Sequence, residues 1–570
     1  MQNGLILHTL WVIAAKRFHI PYVKLEVRAI NWWGCHMSVR YLDVLVVGAG
    51  VAGLYQLHRL RDLGFKVKSV DAAPDVGGTW FWNAYPGARV DSPANVYQYW
   101  FSEEILNEWE WSERFPAQPE IRRYLNFVAN KLDLRRDIEF DTTVESSSWD
   151  EEKQCWRIQT SKGDCFEVQF LVSCVGMLSA PKMPNISGRE KFKGQLLQTA
   201  RWPQSDVELS GKRVGIIGTG ATGIQVIQTL ADKVEDLFVF QRTPQYAIRM
   251  NNHPIDSGLM ATWREQYPTL QAQVHETFAG FEWDLPEEGW AMSISAEERR
   301  TRLEECWADG SLKMFVGTFP EVLAVPEINE EVTQFVRTKI RAQIDDPEMA
   351  DKLIPQDWGF GLYRVPLENG YYEAYNRDNV HLVDVSASPI SSFSDRGLIV
   401  AGQEYELDAV IFATGFDAGT GSLANMNITG RNGASLADLW SRDIRTALGL
   451  QVHGFPNLFT VAGPLAPATG FCNMTTCLQQ QVDWITNALS YIREQHKVTM
   501  EPTQEREDEW VEHHDEVANS TLMMSVNSWY TGGNIEGKPR RLLSYIGGVG
   551  AYRKLCDEIE ADHYPGFDLA

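Results

Sequence analysis

The sequence predicts an α/β protein with two doubly wound units and an inserted helical subdomain. Two observations predict the units: an apolar run leads directly into a glycine-rich turn at residues 43–53 (DVLVVGAGVAG), and the same arrangement recurs at residues 214–223 (VGIIGTGATG). A third observation predicts the insertion, because residues 251–353 are rich in Glu, Arg, Gln and Trp with helical spacing. A chain of 570 residues is long enough for two or three domains.

Composition narrows the class of protein. Apolar residues make up 44% of the chain and charged residues 22%, as in ordinary globular proteins. The formal net charge of −24 disfavours nucleic acid as a partner, because binding to a phosphate backbone needs clustered Lys and Arg. Eight cysteines in no paired framework predict reduced thiols in a cytoplasmic protein, and we expect Cys472 and Cys477 to be structural. No metal site is predicted.

Residues 1–37 are predicted to be a leader, either disordered or an extension from an alternative start, since Met37 lies six residues before the first strand. The apolar stretch at residues 4–15 is too short to span a bilayer. It also has no positive side chain ahead of it, as a signal peptide would have. Neither secretion nor stable membrane insertion is therefore predicted, although a weak membrane-surface anchor remains open.

The first glycine turn has the features of a dinucleotide site. Gly48 permits a tight turn after the strand, Gly50 lets the backbone approach a pyrophosphate, and Gly53 lets the helix pack closely. The next strand ends at Asp71, eighteen residues beyond Gly53, where a carboxylate can accept hydrogen bonds from ribose hydroxyls. A Rossmann-like domain is predicted here.

The second glycine turn ends differently. It carries Gly218, Thr219, Gly220, Thr222 and Gly223. Eighteen residues after its last glycine the following strand runs into Gln241, Arg242 and Thr243, with no carboxylate. A cation and a hydroxyl at this place suit a 2′-phosphate, which predicts NADPH. One acidic and one basic ribose site imply two dinucleotides, most simply FAD in the first domain and NADPH in the second.

The residues after the first site indicate where the electrons go. Many proteins with two such domains reduce a disulfide whose cysteines follow a Gly-Gly-Thr turn, five positions apart. Here Gly77, Gly78 and Thr79 are followed by Trp80 and Tyr85 at those positions. Disulfide reduction is therefore disfavoured, and dioxygen is the remaining acceptor.

Two segments resemble the fingerprints of type I Baeyer–Villiger monooxygenases, which are class B flavoprotein monooxygenases. Residues 77–91 (GGTWFWNAYPGARVD) match the flavin-side pattern, and residues 192–203 (FKGQLLQTARWP) match the linker pattern. The linker positions are Phe192, Gly194, Gln198, Trp202 and Pro203. The family has His at the position of Gln198, and Gln can still donate and accept hydrogen bonds.

The resemblance implies an activity: a flavin peroxide inserts one oxygen atom of O2 beside a ketone carbonyl, giving an ester or lactone. It also implies that Gly78, Thr79, Trp80, Tyr85 and Asp91 contact the FAD. Arg364 would lie over the flavin, pair with Asp91 and stabilise negative charge. Trp529, in residues 527–540 (NSWYTGGNIEGKPR), would come from a C-terminal loop that closes over the cofactor. Tyr363 replaces the Lys that helps to hold the 2′-phosphate, and Ala84 stands where Arg is common.

The predicted domain boundaries follow from these motifs. They are a leader at residues 1–37, the first segment of the FAD domain at 38–175, the first segment of the NADPH domain at 176–250, the helical insertion at 251–355, the second segment of the NADPH domain at 356–407, and the second segment of the FAD domain, with a mobile C-terminal loop, at 408–570. Within this last segment, the acidic run at residues 505–515 is predicted to be a solvated helix face.

Alternative functions remain open from the sequence. A related enzyme could oxidise a heteroatom or an alkene, and the Gln198 substitution keeps that possibility. A cofactor-binding protein without turnover has only Gln198 and Tyr363 in its favour. A flavin reductase lacks the thiol pair and leaves Arg364 unexplained. We expect a bulky apolar ketone as the substrate and a monomer or homodimer as the assembly.

Overall fold

The computed structural model describes residues 39–570. The predictions made for residues 1–37 lie outside the described residues. Among residues 39–570 no helix has the length and apolar character needed to cross a membrane.

The strands share two main sheets and three small ones. In chain order they are β1 (Arg40–Val47), β2 (Val67–Val70), β3 (Ile138–Glu139), β4 (Val144–Asp150), β5 (Cys155–Thr160), β6 (Cys165–Ser173), β7 (Gln195–Gln198), β8 (Arg213–Ile217), β9 (Asp236–Gln241), β10 (Ile248–Arg249), β11 (Leu367–Glu368), β12 (Val380–Asp384), β13 (Ile390–Phe393), β14 (Gly397–Val400), β15 (Gln403–Glu406), β16 (Ala409–Phe412), β17 (Ile428–Thr429), β18 (Leu458–Thr460), β19 (Met500–Pro502) and β20 (Phe567–Leu569).

The α-helices range from single turns to long amphipathic segments. In chain order they are α1 (Val51–Asp62), α2 (Thr79–Trp82), α3 (Glu103–Glu108), α4 (Gln118–Lys131), α5 (Ala221–Leu230), α6 (Ser257–Glu276), α7 (Trp290–Ser293), α8 (Ala296–Asp309), α9 (Lys313–Val316), α10 (Pro326–Arg341), α11 (Pro347–Leu353), α12 (Tyr371–Ala374), α13 (Gly421–Ala424), α14 (Leu436–Trp440), α15 (Met474–Glu494), α16 (Gln504–Asn519) and α17 (Val549–Ala561).

The first sheet carries the first glycine turn. Its eight strands include the path β17-β4-β5-β6-β1-β2-β3, with β18 beside β6. β1 runs parallel to both β2 and β6, so that Val47 lies opposite Val70 and Ser173. The turn after β1 therefore opens at the carboxyl edge of the sheet, where the chain continues to β2 on one side and β6 lies on the other. Such a change of direction in strand order is where α/β sheets bind ligands.

The second sheet has five parallel strands in the order β12-β9-β8-β16-β7. β8 lies in the middle, with Ile217 opposite Phe240 and Phe412. β16 belongs to this sheet, although the sequence boundary at residue 408 assigned it to the first domain. The chain returns to the first sheet only at β17. A short buried apolar strand does not reveal from its own residues which sheet it joins, so this boundary was set too early.

The inserted segment is helical, as predicted, and contains α6 to α11. Its helices begin and end at recognisable signals. Ser295 caps α8 by accepting a hydrogen bond from the Glu298 N–H, and the Glu298 carboxylate accepts one from the Ser295 N–H. Gly310, with φ of 63°, ends the same helix. The buried face of the insertion joins the hydrophobic core of the second sheet.

The acidic run of the C-terminal region lies on α16, and Glu505, Asp508, Glu509 and Glu512 are exposed, as predicted. Glu507 is the exception, because its side chain is 3% exposed and accepts hydrogen bonds from Arg445 and the His453 N–H. The structure also joins Cys472 to Cys477 in a disulfide, where reduced thiols were expected. Cys477 lies in the first turn of α15 and Cys472 just before it, which brings the two together.

Candidate active site

The first glycine turn is shaped for close backbone contact with a ligand. Gly48 has φ of +113°, in the region that favours glycine, and its N–H donates to the Val70 carbonyl at 2.8 Å. A Cβ on Gly53 would lie 1.9 Å from the Gly48 oxygen. A Cβ on Gly50 would lie 3.3 Å from Cα of Gly78, so two glycine backbones cross here. This narrow cradle fits the pyrophosphate of FAD.

Asp71 is positioned by the turn as well as by its strand. One carboxylate oxygen accepts the Ala49 N–H at 2.6 Å and the other accepts the Ala73 N–H at 2.7 Å. Burial raises the pKa of Asp71, although both N–H groups partly lower it. Each carboxylate oxygen has a second lone pair, so Asp71 fits the predicted contact with a ribose hydroxyl.

The flavin-side fingerprint lies between the two domains. The Trp80 indole N–H donates to the Tyr97 hydroxyl at 3.0 Å, and the backbone carbonyl of Trp80 accepts a hydrogen bond from the Gln118 amide. Thr79 begins α2, directly after Gly78. The Tyr85 hydroxyl donates to Gln225 of α5 at 2.9 Å, so this segment reaches the helix that follows the second glycine turn. Thr222, also on α5, contacts the same hydroxyl.

The second glycine turn has the same backbone design with an open front. Gly218 has φ of +108°, and a Cβ on Gly223 would lie 2.2 Å from the Gly218 oxygen. A Cβ on Gly220 would meet nothing within 4 Å in the described residues. The Thr219 hydroxyl donates to the Thr243 carbonyl at 2.8 Å and so ties the turn to the end of β9. A dinucleotide pyrophosphate fits the space in front of Gly220.

The end of β9 presents one free cation. Arg242 is exposed and has neither a hydrogen bond nor an ion pair within residues 39–570. Thr243 beside it is half-buried. Gln241 is buried, and its amide donates to the Lys352 carbonyl at 2.8 Å, so it supports the strand end from the inside. Of the three predicted residues, Arg242 has the geometry that best fits a phosphate.

The linker fingerprint stabilises the edge of the second sheet. The Phe192 ring packs on Phe393 at 5.7 Å, and a Cβ on Gly194 would lie 2.3 Å from the Phe192 ring. Gln198 ends β7 opposite Phe412, and its amide makes no hydrogen bond to any described residue. The Trp202 N–H donates to the Trp82 carbonyl at 3.2 Å, and Pro203 follows. These residues connect the sheet to α2 of the first domain.

Arg364 and Asp91 form the predicted pair. The guanidinium donates to the carboxylate at 2.8 Å, and the two side chains are 20% and 10% exposed. The Leu367 N–H, at the start of β11, donates to the other carboxylate oxygen at 3.4 Å. Burial raises the pKa of Asp91, and Arg364 only partly offsets this. A nearly buried cation is therefore held by a carboxylate from a distant region of the chain.

Tyr530 is a neighbour of Arg364 that the sequence analysis missed. Tyr530 is 1% exposed. Its hydroxyl lies close to the Arg364 guanidinium, although no hydrogen bond within the described residues meets the full distance and angle criteria. Burial by itself would lower the pKa of Arg364, yet Asp91 and Tyr530 raise it above its usual value. Burial raises the pKa of Tyr530 to about 12. The only sequence signal for this residue was its place next to Trp529.

A small aromatic group surrounds that hydroxyl. The Tyr530 ring lies 4.8 Å from the Phe471 ring and 4.4 Å from the Trp529 ring. A Cβ on Gly470 would lie 2.5 Å from the Tyr530 ring, so the loop at residues 465–471 packs directly on it. Trp529 is half-buried between the two large hydrophobic cores. The site thus combines one fixed cation, one buried hydroxyl beside it and an aromatic wall.

Comparisons with known proteins agree with this geometry. Residues 42–270 match the FMO-like family, described as flavin-binding monooxygenase-like. The chain is 51% identical to acetone monooxygenase (methyl acetate-forming) of Gordonia sp. strain TY-5, covering 94% of this chain and 100% of that one. It is 39% identical to cyclopentanone 1,2-monooxygenase of Comamonas sp. strain NCIMB 9872, covering 93% and 96%. A crystal structure of OTEMO in complex with FAD and NADP superposes with a TM-score of 0.89 at 40% identity, covering 94% and 100%.

Proposed function

The chain belongs to the Baeyer–Villiger monooxygenases of the flavin-binding monooxygenase-like family, and we propose that it converts a small open-chain ketone to an ester, with Arg364 as its essential cation. One observation carries the proposal. Arg364 is held at 2.8 Å from Asp91 in a site that is largely closed to water. A charge fixed before the reaction stabilises developing negative charge without reorganisation.

The two dinucleotide sites supply the redox chemistry. Bound FAD and NADPH would supply hydride transfer to the flavin and the activation of dioxygen. The residues that would hold FAD are Gly48, Gly50, Gly53, Asp71, Gly78, Thr79, Trp80 and Tyr85. Those that would hold NADPH are Gly218, Thr219, Gly220, Thr222, Gly223, Gln241, Arg242 and Thr243, with Trp529 covering the cofactor. The narrow cradle between Gly50 and Gly78 and the open front of Gly220 support these assignments.

Arg364 would act on the ketone oxygen. The guanidinium offers five N–H groups in all, and one of its nitrogens already donates to Asp91. The remaining donors can bind the carbonyl oxygen as it becomes negative during oxygen insertion. The charge persists at any working pH because the pKa of Arg364 is raised further by Asp91 and Tyr530.

Asp91 would orient this group and balance its charge. Its second oxygen accepts the Leu367 N–H, which couples the carboxylate to β11. Removing the carboxylate would leave Arg364 buried without a counter-charge, a change that typically costs about 3–5 kcal/mol. Asp91 is thus needed both to hold the cation and to make its burial tolerable.

The similarity to known enzymes supports a small ketone rather than the bulky one expected from the sequence. Identity to the acetone enzyme is 51%, against 39% to the cyclopentanone enzyme over a similar share of the chain. Phe471 and Trp529 also both pack against Tyr530, the residue beside Arg364, with ring separations of 4.8 Å and 4.4 Å. Aromatic rings that fill this corner favour a substrate with few carbons.

A comparison of three substrates, each tested separately, examines the proposal. Purified protein loaded with FAD is given NADPH, air and one of three compounds: acetone, cyclopentanone or methyl phenyl sulfide. Products are identified by mass spectrometry and compared with NADPH consumption. We expect methyl acetate from acetone, with kcat/KM at least about tenfold above that for cyclopentanone. Preference for cyclopentanone would overturn the substrate assignment. Oxidation of methyl phenyl sulfide without oxidation of either ketone would overturn the assignment of the reaction.

A further inference from the structure

The geometry points to Arg540 as a second cation for the 2′-phosphate of NADPH, standing in for the Lys that Tyr363 replaces. This inference rests on the proposed function, because it concerns the NADPH of that same site. Arg540 lies nearly three hundred residues beyond Arg242 in the chain, and neither the glycine motif nor the strand end identifies it. The ligand chemistry is that of a phosphate monoester on a ribose.

The structure brings Arg540 and Tyr363 to the same turn. The Tyr363 hydroxyl donates to the Asn527 carbonyl at 3.1 Å. The Arg540 guanidinium donates to the Val526 carbonyl at 2.8 Å and to the Met524 carbonyl. Since residues 526 and 527 are consecutive, the phenol and the guanidinium contact adjacent peptide groups. Both carbonyl contacts use the same terminal nitrogen of Arg540, and its other nitrogens remain free in the described region of the chain.

The charge of Arg242, which follows the end of β9, also acts on this phenol. Burial raises the pKa of the Tyr363 hydroxyl, and the positive charges of Arg242 and Arg540 both oppose this rise. The Tyr363 ring is fixed by the Trp358 ring at 4.7 Å. The charges of two guanidinium groups therefore act on Tyr363, one from the second domain and one from the C-terminal segment.

Neither guanidinium has a carboxylate partner within residues 39–570. This lack is notable in a chain with a net charge of −24, where acidic side chains are in excess. Two like charges near one phenol repel each other, and an anion bound between them would offset that repulsion. A 2′-phosphate supplies two negative charges, and guanidinium groups bind phosphate oxygens through paired N–H donors. The hydroxyl of Tyr363 already donates its one proton to the Asn527 carbonyl, so the guanidinium groups would supply the donors to the phosphate.

Binding measurements on the oxidised, FAD-loaded protein test this assignment without turnover. The dissociation constants of NADP+ and NAD+ are measured by isothermal titration calorimetry for the unaltered protein and for Arg540→Gln. We expect NADP+ binding to weaken about tenfold, as for a lost charge-assisted hydrogen bond, and NAD+ binding to stay the same. Arg540→Lys should retain some of the NADP+ affinity, because it keeps the charge but not the fork of donors.

The matched control is Arg123→Gln. Arg123 is also exposed and without an ion pair among the described residues, but it lies on α4 of the first domain. This variant changes the net charge equally and should leave both dissociation constants unchanged. If Arg123→Gln lost as much NADP+ affinity as Arg540→Gln, only the overall electrostatic field of the protein would matter. If Arg540→Gln lost NADP+ and NAD+ affinity equally, Arg540 would only support the fold of its segment. Either result, or unchanged NADP+ binding, overturns the assignment.

A compensating variant sharpens the test. Installing the missing Lys in Tyr363→Lys, combined with Arg540→Gln, should restore selectivity for NADP+ over NAD+ to within about threefold of the unaltered protein. Failure of this rescue would contradict a shared phosphate site. The measurement is independent of ketone oxidation, so a protein that forms no ester but shows these binding changes would refute the proposed function and leave this inference intact.

Discussion

The two glycine turns have nearly the same backbone and very different surroundings. In both, a Cβ on the third glycine would collide with the oxygen of the first, at 1.9 Å for Gly53 and 2.2 Å for Gly223. The middle glycine differs: Gly50 faces Gly78, whereas Gly220 faces open space. The strand after the first turn ends at the buried Asp71, and the strand after the second leads to the exposed Arg242. The enclosed site suits a cofactor that stays bound, and the open one suits a cofactor that exchanges in each cycle.

The largest expected effect concerns the centre that joins these two regions. Asp91 follows the first site in the chain and Arg364 follows the second, and their ion pair connects them. Arg364→Ala should lower the rate of ester formation about 10²–10³-fold, because a preplaced donor is lost. Arg364→Lys should recover only a fraction of it, since Lys lacks the planar fork. FAD content, read from visible absorbance, should not change, and an unaltered ester yield would refute the role of Arg364.

Substituting alanine for the middle glycine of each turn should affect FAD binding at the first site and NADP+ binding at the second. Gly50 and Gly220 have φ of −83° and −74°, so the backbone of either can accept alanine. Gly50→Ala should give colourless protein, since the methyl group enters the narrow cradle. Gly220→Ala should remain yellow and equally stable, with NADP+ binding weaker by about tenfold to a hundredfold as the pyrophosphate loses backbone contacts. A lowered melting temperature of Gly220→Ala would contradict the open front.

Two buried carboxylates differ in their hydrogen bonds, and one of them should make the stability of the protein depend on pH. Asp71 uses both oxygens to accept N–H groups, but Glu368 on β11 uses one oxygen for the Gly370 and Tyr371 N–H groups and leaves the other without a partner among the described residues. Burial raises the pKa of Glu368 from 4.5 to about 6. The folded protein therefore binds this proton more tightly than the unfolded chain does, and its stability falls as pH rises between these values.

The variant Glu368→Gln removes that titration. Relative to the variant, the unaltered protein should lose about 2 kcal/mol of unfolding free energy between pH 4 and pH 7. Urea unfolding at a series of pH values measures the difference. Parallel curves for the two proteins would show that Glu368 does not titrate in this range. An opposite slope would mean that its partners stabilise the charged form.

The smallest effect is expected at the aromatic wall. Tyr530→Phe keeps the ring contacts with Phe471 and Trp529 and removes only the hydroxyl beside Arg364. Loss of one such polar contact is worth about 0.5–1.5 kcal/mol, so ester formed per NADPH consumed should fall roughly threefold to tenfold. The melting temperature should stay the same. A loss of flavin or of stability would assign Tyr530 a packing role instead.

Sequence reasoning succeeded where a property depends on neighbours in the chain. The strand, glycine turn and helix of each site lie within about twenty consecutive residues, and their signals are local. The helical insertion was likewise visible as periodic charge and apolar residues. The pair of Arg364 and Asp91 came from resemblance to a family, because no local pattern joins residues so far apart.

The failures share one cause. Glu507 was assigned to solvent because composition cannot tell which face of an acidic helix is covered, and Arg445 covers it. β16 was assigned to the wrong domain because its apolar residues would suit either sheet. Tyr530 and Arg540 were missed because their significance depends on partners that approach from other segments.

The sequence by itself therefore determined the fold class, the two glycine turns and the acidic or basic character of each strand end. These features are set by backbone conformation and by residues a few positions apart. Only the tertiary structure decided what surrounds Arg364, which cations lie around Tyr363 and which carboxylates lose contact with water. Those outcomes depend on long-range packing, where burial and opposing charges act together on groups that the chain order keeps apart.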